Sequence, residues 1–246
     1  MDVDEATRRG MVVTNTPGAN SAAVAELAVG LMVALGRKLL EASDSTRRGL
    51  WPRLSGTGLR GNTVGLVGLG RIGGEVALSL RGFGCQVLAH DPGINQALAD
   101  EVGAGLVSMG ELLNRSHVVS LPVPLNASTK KMVDADFLAR MKKGAFLVNT
   151  ARGELLDEEA LLEALRSGHL AGAALDCPSS EPTEDHNPLF RMPQVIVTSH
   201  MEAHTDEATS AMGWMSVEAC VAVLRGDVPE QVVVSEVYSI LREKGQ

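Results

Sequence analysis

The run Gly68-Leu69-Gly70-Arg71-Ile72-Gly73 carries three glycines at the spacing GxGxxG. In a chain with 26 glycines that spacing alone is a weak signal. Its surroundings strengthen it. A short apolar run, Thr63–Gly68, leads into it, and a helical pattern opens at Arg71. An acidic residue, Asp91, follows Gly73 by 18 positions at the end of the next apolar run. A strand, a glycine turn, a helix start and an acid in that order suit a dinucleotide. Gly68 permits the tight turn, Gly70 lets a pyrophosphate approach the backbone, and Gly73 lets the helix pack closely on the strand. The helix start offers unpaired N–H groups and a positive dipole end to the phosphates. Asp91 can accept hydrogen bonds from ribose hydroxyls. It would repel a 2′-phosphate, and no Arg or Lys stands within the next eight residues. NAD is therefore expected rather than NADP.

A second set of reactive side chains lies further along. Arg152 follows the apolar run Ala145–Asn149, Asp176 ends the run Ala171–Leu175 with Glu181 five residues on, and His200 follows Val195–Ser199. An arginine can grip a carboxylate with two hydrogen bonds and polarise a neighbouring carbonyl. A histidine can give or take a proton near neutral pH, and a carboxylate beside it favours the imidazolium. Beside a nicotinamide, such a set implies hydride transfer between NAD and a 2-hydroxy or 2-keto acid. Each of these residues alone reads as an ordinary structural or surface group; their shared placement at strand ends argues otherwise.

The elements that must position them alternate. Apolar runs at Thr63–Gly68, Cys85–His90, His117–Leu121, Ala145–Asn149, Ala171–Leu175 and Val195–Ser199 read as strands. Helical patterns occupy Arg71–Phe83, Met109–Arg115, Asp136–Met141 and Asp157–Ser167. Alternation of this kind argues for a doubly wound, parallel α/β sheet, and the unbroken apolar runs suit strands covered on both faces. Ligands of such sheets bind beyond the carboxyl ends of the strands, where all the residues above would stand. Ser21 to about Arg48 reads as one long helix, and Thr205–Arg225 as another.

Composition narrows the function. The 246 residues carry 30 acidic and 22 basic side chains, a net charge of −8, which argues against a general nucleic-acid partner. Aromatics, at 3%, are too few for base-stacking platforms. Cys85, Cys177 and Cys220 form no CxxC pair, so neither a metal site nor a disulfide framework is expected, and a reducing cytoplasm fits. The most apolar stretch, Ala22 to Gly36, is 15 residues long and holds Glu26. A bilayer span needs about 20 apolar residues.

The sequence resembles the D-isomer-specific 2-hydroxyacid dehydrogenases, a family that includes D-3-phosphoglycerate dehydrogenases and glyoxylate/hydroxypyruvate reductases. The blocks at 12–32, 59–73, 144–165, 172–176 and 187–200 carry the likeness, in one order and over nearly the whole chain. The resemblance implies a Rossmann NAD domain with a remnant of a flavodoxin-like substrate domain. It divides the chain into 1–15 (remnant), 16–204 (NAD domain) and 205–246 (crossing helix and remnant). It puts Arg152, Glu181 and His200 in the catalytic positions. It puts Gly68, Gly70, Arg71, Ile72 and Gly73 at the pyrophosphate and Asp91 at the ribose. Val123, Thr150 and Asp176 then stand near the rest of the dinucleotide, and His200 to Ala203 border the nicotinamide. A homodimer through the NAD domain is expected, since Leu, Met and Val cover more of the Ser21–Arg48 helix than one core face needs. Trp51 resembles a residue that reaches the neighbouring subunit in some members, and reads equally well as a loop anchor.

Departures from the family pattern cluster near the site. The family's first strands and helices, with the glycine loop that holds the substrate carboxylate, have no counterpart before Met1. Pro122, Cys177-Pro178 and Ser199 replace residues usual in the family. Glu202 stands where a glycine or small residue is common. A carboxylate there would repel an anionic substrate, and its side chain is expected to point to solvent. An NAD-binding protein without turnover, a crippled fragment or a dinucleotide-sensing module, is the alternative reading.

Overall fold

Short apolar runs without polar alternation cannot leave one face in water, and seven of them line up here as one parallel sheet. The computed structural model describes residues 1–93, 95–179 and 187–243. Its contacts form two units, Ser21–Glu202 and, separately, Met1–Asn20 with Ala203–Gln246.

The smaller unit begins with α1 (Val3–Arg9), whose first turn is capped by Asp2 and whose end is closed by Gly10 in the left-handed conformation. The larger unit opens with α2 (Ser21–Gly36) and α3 (Leu39–Arg47). Strand and helix then alternate: β1 (Thr63–Val67), α4 (Arg71–Leu80), β2 (Gln86–His90), α5 (Gln96–Val102), β3 (Ala104–Leu106), α6 (Met109–Arg115), β4 (Val118–Ser120), α7 (Ala135–Arg140), β5 (Ala145–Asn149), α8 (Glu158–Arg166), β6 (Leu170–Leu175) and β7 (Val195–Val197). The smaller unit resumes with α9 (Asp206–Leu224), capped by Thr205, and α10 (Val237–Glu243), which packs against α1. Within that unit Thr14 and Val232 form an antiparallel bridge.

The spatial order of the sheet is β3-β2-β1-β4-β5-β6-β7, parallel throughout. The order reverses between β1 and β4, the switch point where a doubly wound sheet opens a crevice. Two hydrophobic cores cover its faces. One gathers Met32, Leu66, Val76, Leu80 and Ala99 under α2, α4 and α5. The other gathers Leu112, Leu138, Leu147, Leu161 and Leu175 under α6, α7 and α8. No helix among the described residues is long and apolar enough to cross a membrane.

Two readings of the sequence need correction here. The single helix over Ser21–Arg48 is two, because Lys38 turns into the left-handed region at φ 53°. The physical cause is the loop that crosses at Gly36: the amide of Thr57 donates to the Gly36 carbonyl at 2.7 Å, taking the acceptor that a continuing helix would use. A side chain at Gly36 would lie 2.5 Å from the Thr57 carbonyl oxygen. The apolar circumference of α2 is also largely used within the chain, with Val24, Ala25, Ala28, Leu31, Met32 and Leu35 all buried.

Candidate functional site

The glycine turn is shaped as its spacing requires. Gly68 sits at φ 110°, where a Cβ would also lie 2.6 Å from the Pro122 carbonyl oxygen. Gly73 faces the Gly68 carbonyl so closely that any Cβ would collide with it. Gly70 differs: nothing lies within 4 Å of where its Cβ would be, so the start of α4 is open to an incoming group. Asp91 stands immediately after β2 and ties the turn down. Its Oδ2 accepts from the Leu69 amide at 2.8 Å and its Oδ1 from the Gly93 amide at 2.8 Å. The carboxylate is thereby fixed beside the turn with lone pairs to spare for ribose hydroxyls.

At the carboxyl ends of β5, β6 and β7 a second cluster forms around Asp176, which is wholly buried. Thr198 Oγ1 donates to its Oδ1 at 2.5 Å, the Met201 amide to Oδ1 at 3.1 Å, and the Glu202 amide to Oδ2 at 3.0 Å. Burial alone would raise its pKa. Hydrogen bonds from Glu202, Thr198 and the two amides outweigh burial and hold it below its ordinary value. The Asp176 carbonyl in turn accepts from the His200 amide at 2.7 Å. These bonds hold His200 in the left-handed region at φ 56°, a conformation histidine seldom adopts and one that surrounding contacts must impose.

Arg152 comes from the loop after β5. Buried Asn149 shapes that loop by donating to the Arg152 carbonyl at 2.8 Å and accepting from the Ala151 amide at 3.1 Å. Gly153 lets it lie against the loop after β6, since a Cβ there would collide with the Pro178–Ser179 backbone. The guanidinium and the imidazole then converge on a single oxygen. Glu202 Oε1 lies 3.2 Å from His200 Nε2 and 4.0 Å from Arg152 Nη1.

Glu202 overturns its expectation. Its side chain does not point to solvent; it is 8% exposed, against 34% for His200 and 52% for Arg152. The first cause is the hub: the Glu202 amide is held on Asp176, which directs the side chain inward. Burial, and then the hydrogen bond shared with Asp176, push its pKa up to about 7, while His200 pulls the other way. Its Oε2 meets no donor among the described residues. A buried carboxylate oxygen without a donor is costly when charged, which agrees with the raised pKa.

A family model described as the NAD binding domain of D-isomer specific 2-hydroxyacid dehydrogenases matches residues 29–202. The chain belongs to this family. It is 43% identical over 236 residues to a D-3-phosphoglycerate dehydrogenase of Methanocaldococcus jannaschii, covering 95% of this chain and 45% of that one. It is 38% identical over 246 residues to a glyoxylate reductase of Korarchaeum cryptofilum, covering 98% and 74%. The crystal structure of a D-lactate dehydrogenase from Aquifex aeolicus, complexed with NAD and lactic acid, superposes with a TM-score of 0.86 at 29% identity, over 96% of this chain and 77% of that one. The chain thus spans about half the length of the D-3-phosphoglycerate dehydrogenase it matches.

NAD is the cofactor of the matched domain, and the residues present fit it: the turn at Gly68–Gly73 leaves an open approach at Gly70 where a side chain would fill the cradle. The other positions expected at the dinucleotide stand at the same edge of the sheet. Val123 follows β4, buried Thr150 follows β5 and Asp176 follows β6. Arg71 and Ile72 open α4. Ala203 falls in the smaller unit, and Glu181 lies outside the described residues. Cysteine spacing gave no hint of a metal site. Yet the Cys177 thiol, a His200 ring nitrogen and a Glu202 carboxylate oxygen lie within 4.8 Å of one another, a set that could hold an ion. The three come from two loops 23 residues apart, a separation no short motif records.

Proposed function

We propose that this protein transfers a hydride between NAD and a D-2-hydroxy acid, with the 2-keto acid as the oxidised partner. One observation carries the reading: Arg152 Nη1 and His200 Nε2 face the same carboxylate oxygen. A keto acid needs that convergence, one cation for its carboxylate and a proton donor for its carbonyl oxygen. When bound, the nicotinamide supplies the hydride. Arg152 orients the keto acid, and His200 gives its proton to the carbonyl oxygen as negative charge builds there. Glu181 keeps His200 protonated, and Asp91 selects NAD. The family likeness supports all four roles. A reducing cytoplasm and a small hydroxy or keto acid substrate complete the reading.

Calorimetric titration with both cofactors tests the Asp91 role. NADH should bind at least about tenfold more tightly than NADPH, since a 2′-phosphate brings like charge against the carboxylate. Asp91→Ala should narrow that gap, and equal affinities in the unaltered protein would remove Asp91 as the discriminator. Oxidation of NADH on adding glyoxylate, hydroxypyruvate or oxidised 3-phosphoglycerate tests the reaction itself. The alternative, NAD binding without turnover, is favoured by one feature: Glu202 already stands at the point where Arg152 and His200 meet.

The same reading includes a homodimer through the NAD domain. Its support is apolar exposure outside α2: Leu39, Leu40, Leu50 and Trp51 are all exposed, Trp51 at 82%. Light scattering at micromolar concentration should give twice the 25.9 kDa of one chain. A monomeric mass would count against the dimer.

A further inference from the structure

We propose that Cys177, His200 and Glu202 bind a thiophilic divalent cation of the Zn²⁺ class, with a fourth position left to water or an anion. The site itself does not depend on the proposed reaction; its effect on turnover rests on that reading.

The three ligand atoms, the Cys177 thiol, a His200 ring nitrogen and a Glu202 carboxylate oxygen, all lie within 4.8 Å of one another. One edge is already closed: His200 Nε2 and Glu202 Oε1 are 3.2 Å apart. Zinc bonds of about 2.0–2.3 Å at tetrahedral angles put ligand atoms roughly 3.3–3.6 Å apart. The nitrogen–oxygen edge fits as it stands, and the thiol edges close by at most about 1.2 Å, within reach of a side-chain rotation. The backbone under the ligands is fixed. The Asp176 carbonyl takes the His200 amide, and its carboxylate takes the amides of Met201 and Glu202. Cys177 is the next residue along the chain. One buried residue thus aligns both ligand-bearing loops, the outer support that a metal site needs.

A second observation points to a cation. Glu202 is only 7% exposed, and its Oε2 meets no donor among the described residues. The Asp176 carboxyl lies against the same side chain. A bound cation gives the bare oxygen a partner and offsets the repulsion between the two acids. Charge then closes. A 2+ ion balances the Cys177 thiolate and the Glu202 carboxylate, and Arg152, 4.0 Å from Glu202 Oε1, balances Asp176. The Arg152 side chain is half exposed, which lets its guanidinium stand back from the ion.

The donor set selects the metal. Thiolate, imidazole and carboxylate together suit zinc, whereas Mg²⁺ and Ca²⁺ take oxygen ligands at higher coordination. On binding, the Cys177 thiol proton leaves to solvent and the imidazole binds through a bare ring nitrogen. Held by the ion, His200 cannot serve as proton donor to a carbonyl oxygen, so a filled site stops the proposed hydride transfer. Cys177 and Glu202 both stand where the chain departs from the family pattern, and the fold brings the two departures together beside His200.

Cobalt, a spectroscopic stand-in for zinc, tests the site in the reduced protein. Co²⁺ should give the near-ultraviolet band of a thiolate ligand and the visible bands of a four-coordinate ion. Equimolar Zn²⁺ should abolish them, and excess Mg²⁺ should not. Cys177→Ser and Cys177→Ala should lose the ultraviolet band, while Cys220→Ser, at the exposed thiol, keeps it. Losing a residue that merely supports a ligand costs about 10–100-fold in metal affinity. Losing a direct ligand, in Cys177→Ser or Glu202→Gln, should therefore weaken Zn²⁺ binding at least about tenfold in competition with a chelator. Thermal melts show that each variant folds. Absence of the bands from the unaltered protein, or an ultraviolet band that survives both Cys177 variants, overturns the site. With NADH and glyoxylate, Zn²⁺ should stop turnover until a chelator is added, and Cys177→Ser should turn over unhindered. Full turnover with the site filled overturns the inhibition. Failure of the metal-free protein to turn over sinks the proposed reaction instead, and the cobalt spectrum still decides the site.

Discussion

On the proposed reaction, His200→Ala should slow the reduction of a 2-keto acid by NADH about 10²–10⁴-fold, the usual cost of removing a positioned proton donor. Hydride arrival turns the carbonyl carbon tetrahedral and leaves its oxygen negative, so a proton must reach that oxygen in the same step. Water can deliver one, but without the fixed orientation that the left-handed backbone and the Asp176 carbonyl impose on His200. NADH affinity should change only a few-fold, because the glycine turn and Asp91 lie at other strand ends. Arg152→Ala behaves differently. The guanidinium is half exposed and steadied only by the Ala151 carbonyl and Glu202 among the described contacts, so its loss mainly raises KM and lowers kcat/KM. Steady-state rates with NADH and glyoxylate check both. A wild-type rate from His200→Ala would remove the histidine from the chemistry.

The stability of the protein relative to Glu202→Gln should fall as pH rises from 5 to 8. In the folded chain burial and the Asp176 hydrogen bond keep the Glu202 proton up to pH about 7, against 4.5 for the ordinary group. Folding therefore takes up a proton between those values. The resulting stabilisation is complete below pH 4.5 and fades as pH passes through 7. Its size is on the order of 3 kcal/mol, which for a chain of this length corresponds to roughly 6–12 °C in Tm. Asp176 contributes in the other direction: its lowered pKa stabilises the fold above the ordinary 3.8 and is lost only in stronger acid, outside the window of interest. Thermal melts of both proteins across pH 5 to 8 check the prediction. His117, whose pKa burial lowers, raises stability with pH in both proteins alike, so parallel profiles for the two would mean that Glu202 is ionised throughout.

The sheet was legible because buried parallel strands need continuous apolar runs, and Thr63–Val67, Gln86–His90 and Ala145–Asn149 have little else. The elements without a sequence signal are short or bent. Ala104–Leu106 is a three-residue edge strand with a glycine at its middle, too brief for any periodicity. Helix Gln96–Val102 is bracketed by an Asn95 cap and a left-handed Gly103, signals present in the sequence but around a span too short to show helical periodicity. The break at Lys38 is set by a loop some twenty residues later, so nothing local could announce it. At the site, residue types and strand ends pointed to Arg152, Asp176 and His200. Glu202 departs from the family pattern in type, yet its direction depends on which amides Asp176 collects, a tertiary fact without a sequence pattern.

That collecting role of Asp176 has a consequence for hydrogen exchange. Amides in a loop ordinarily swap with deuterium quickly, because small local openings suffice. Those of Met201 and Glu202 are bonded instead to a carboxylate buried at the end of β6. Freeing either one means lifting the loop off the sheet and leaving that carboxylate short of donors. Both amides should therefore exchange on the slow timescale of the neighbouring strand, marking a loop whose local unfolding is coupled to that of the core beneath it.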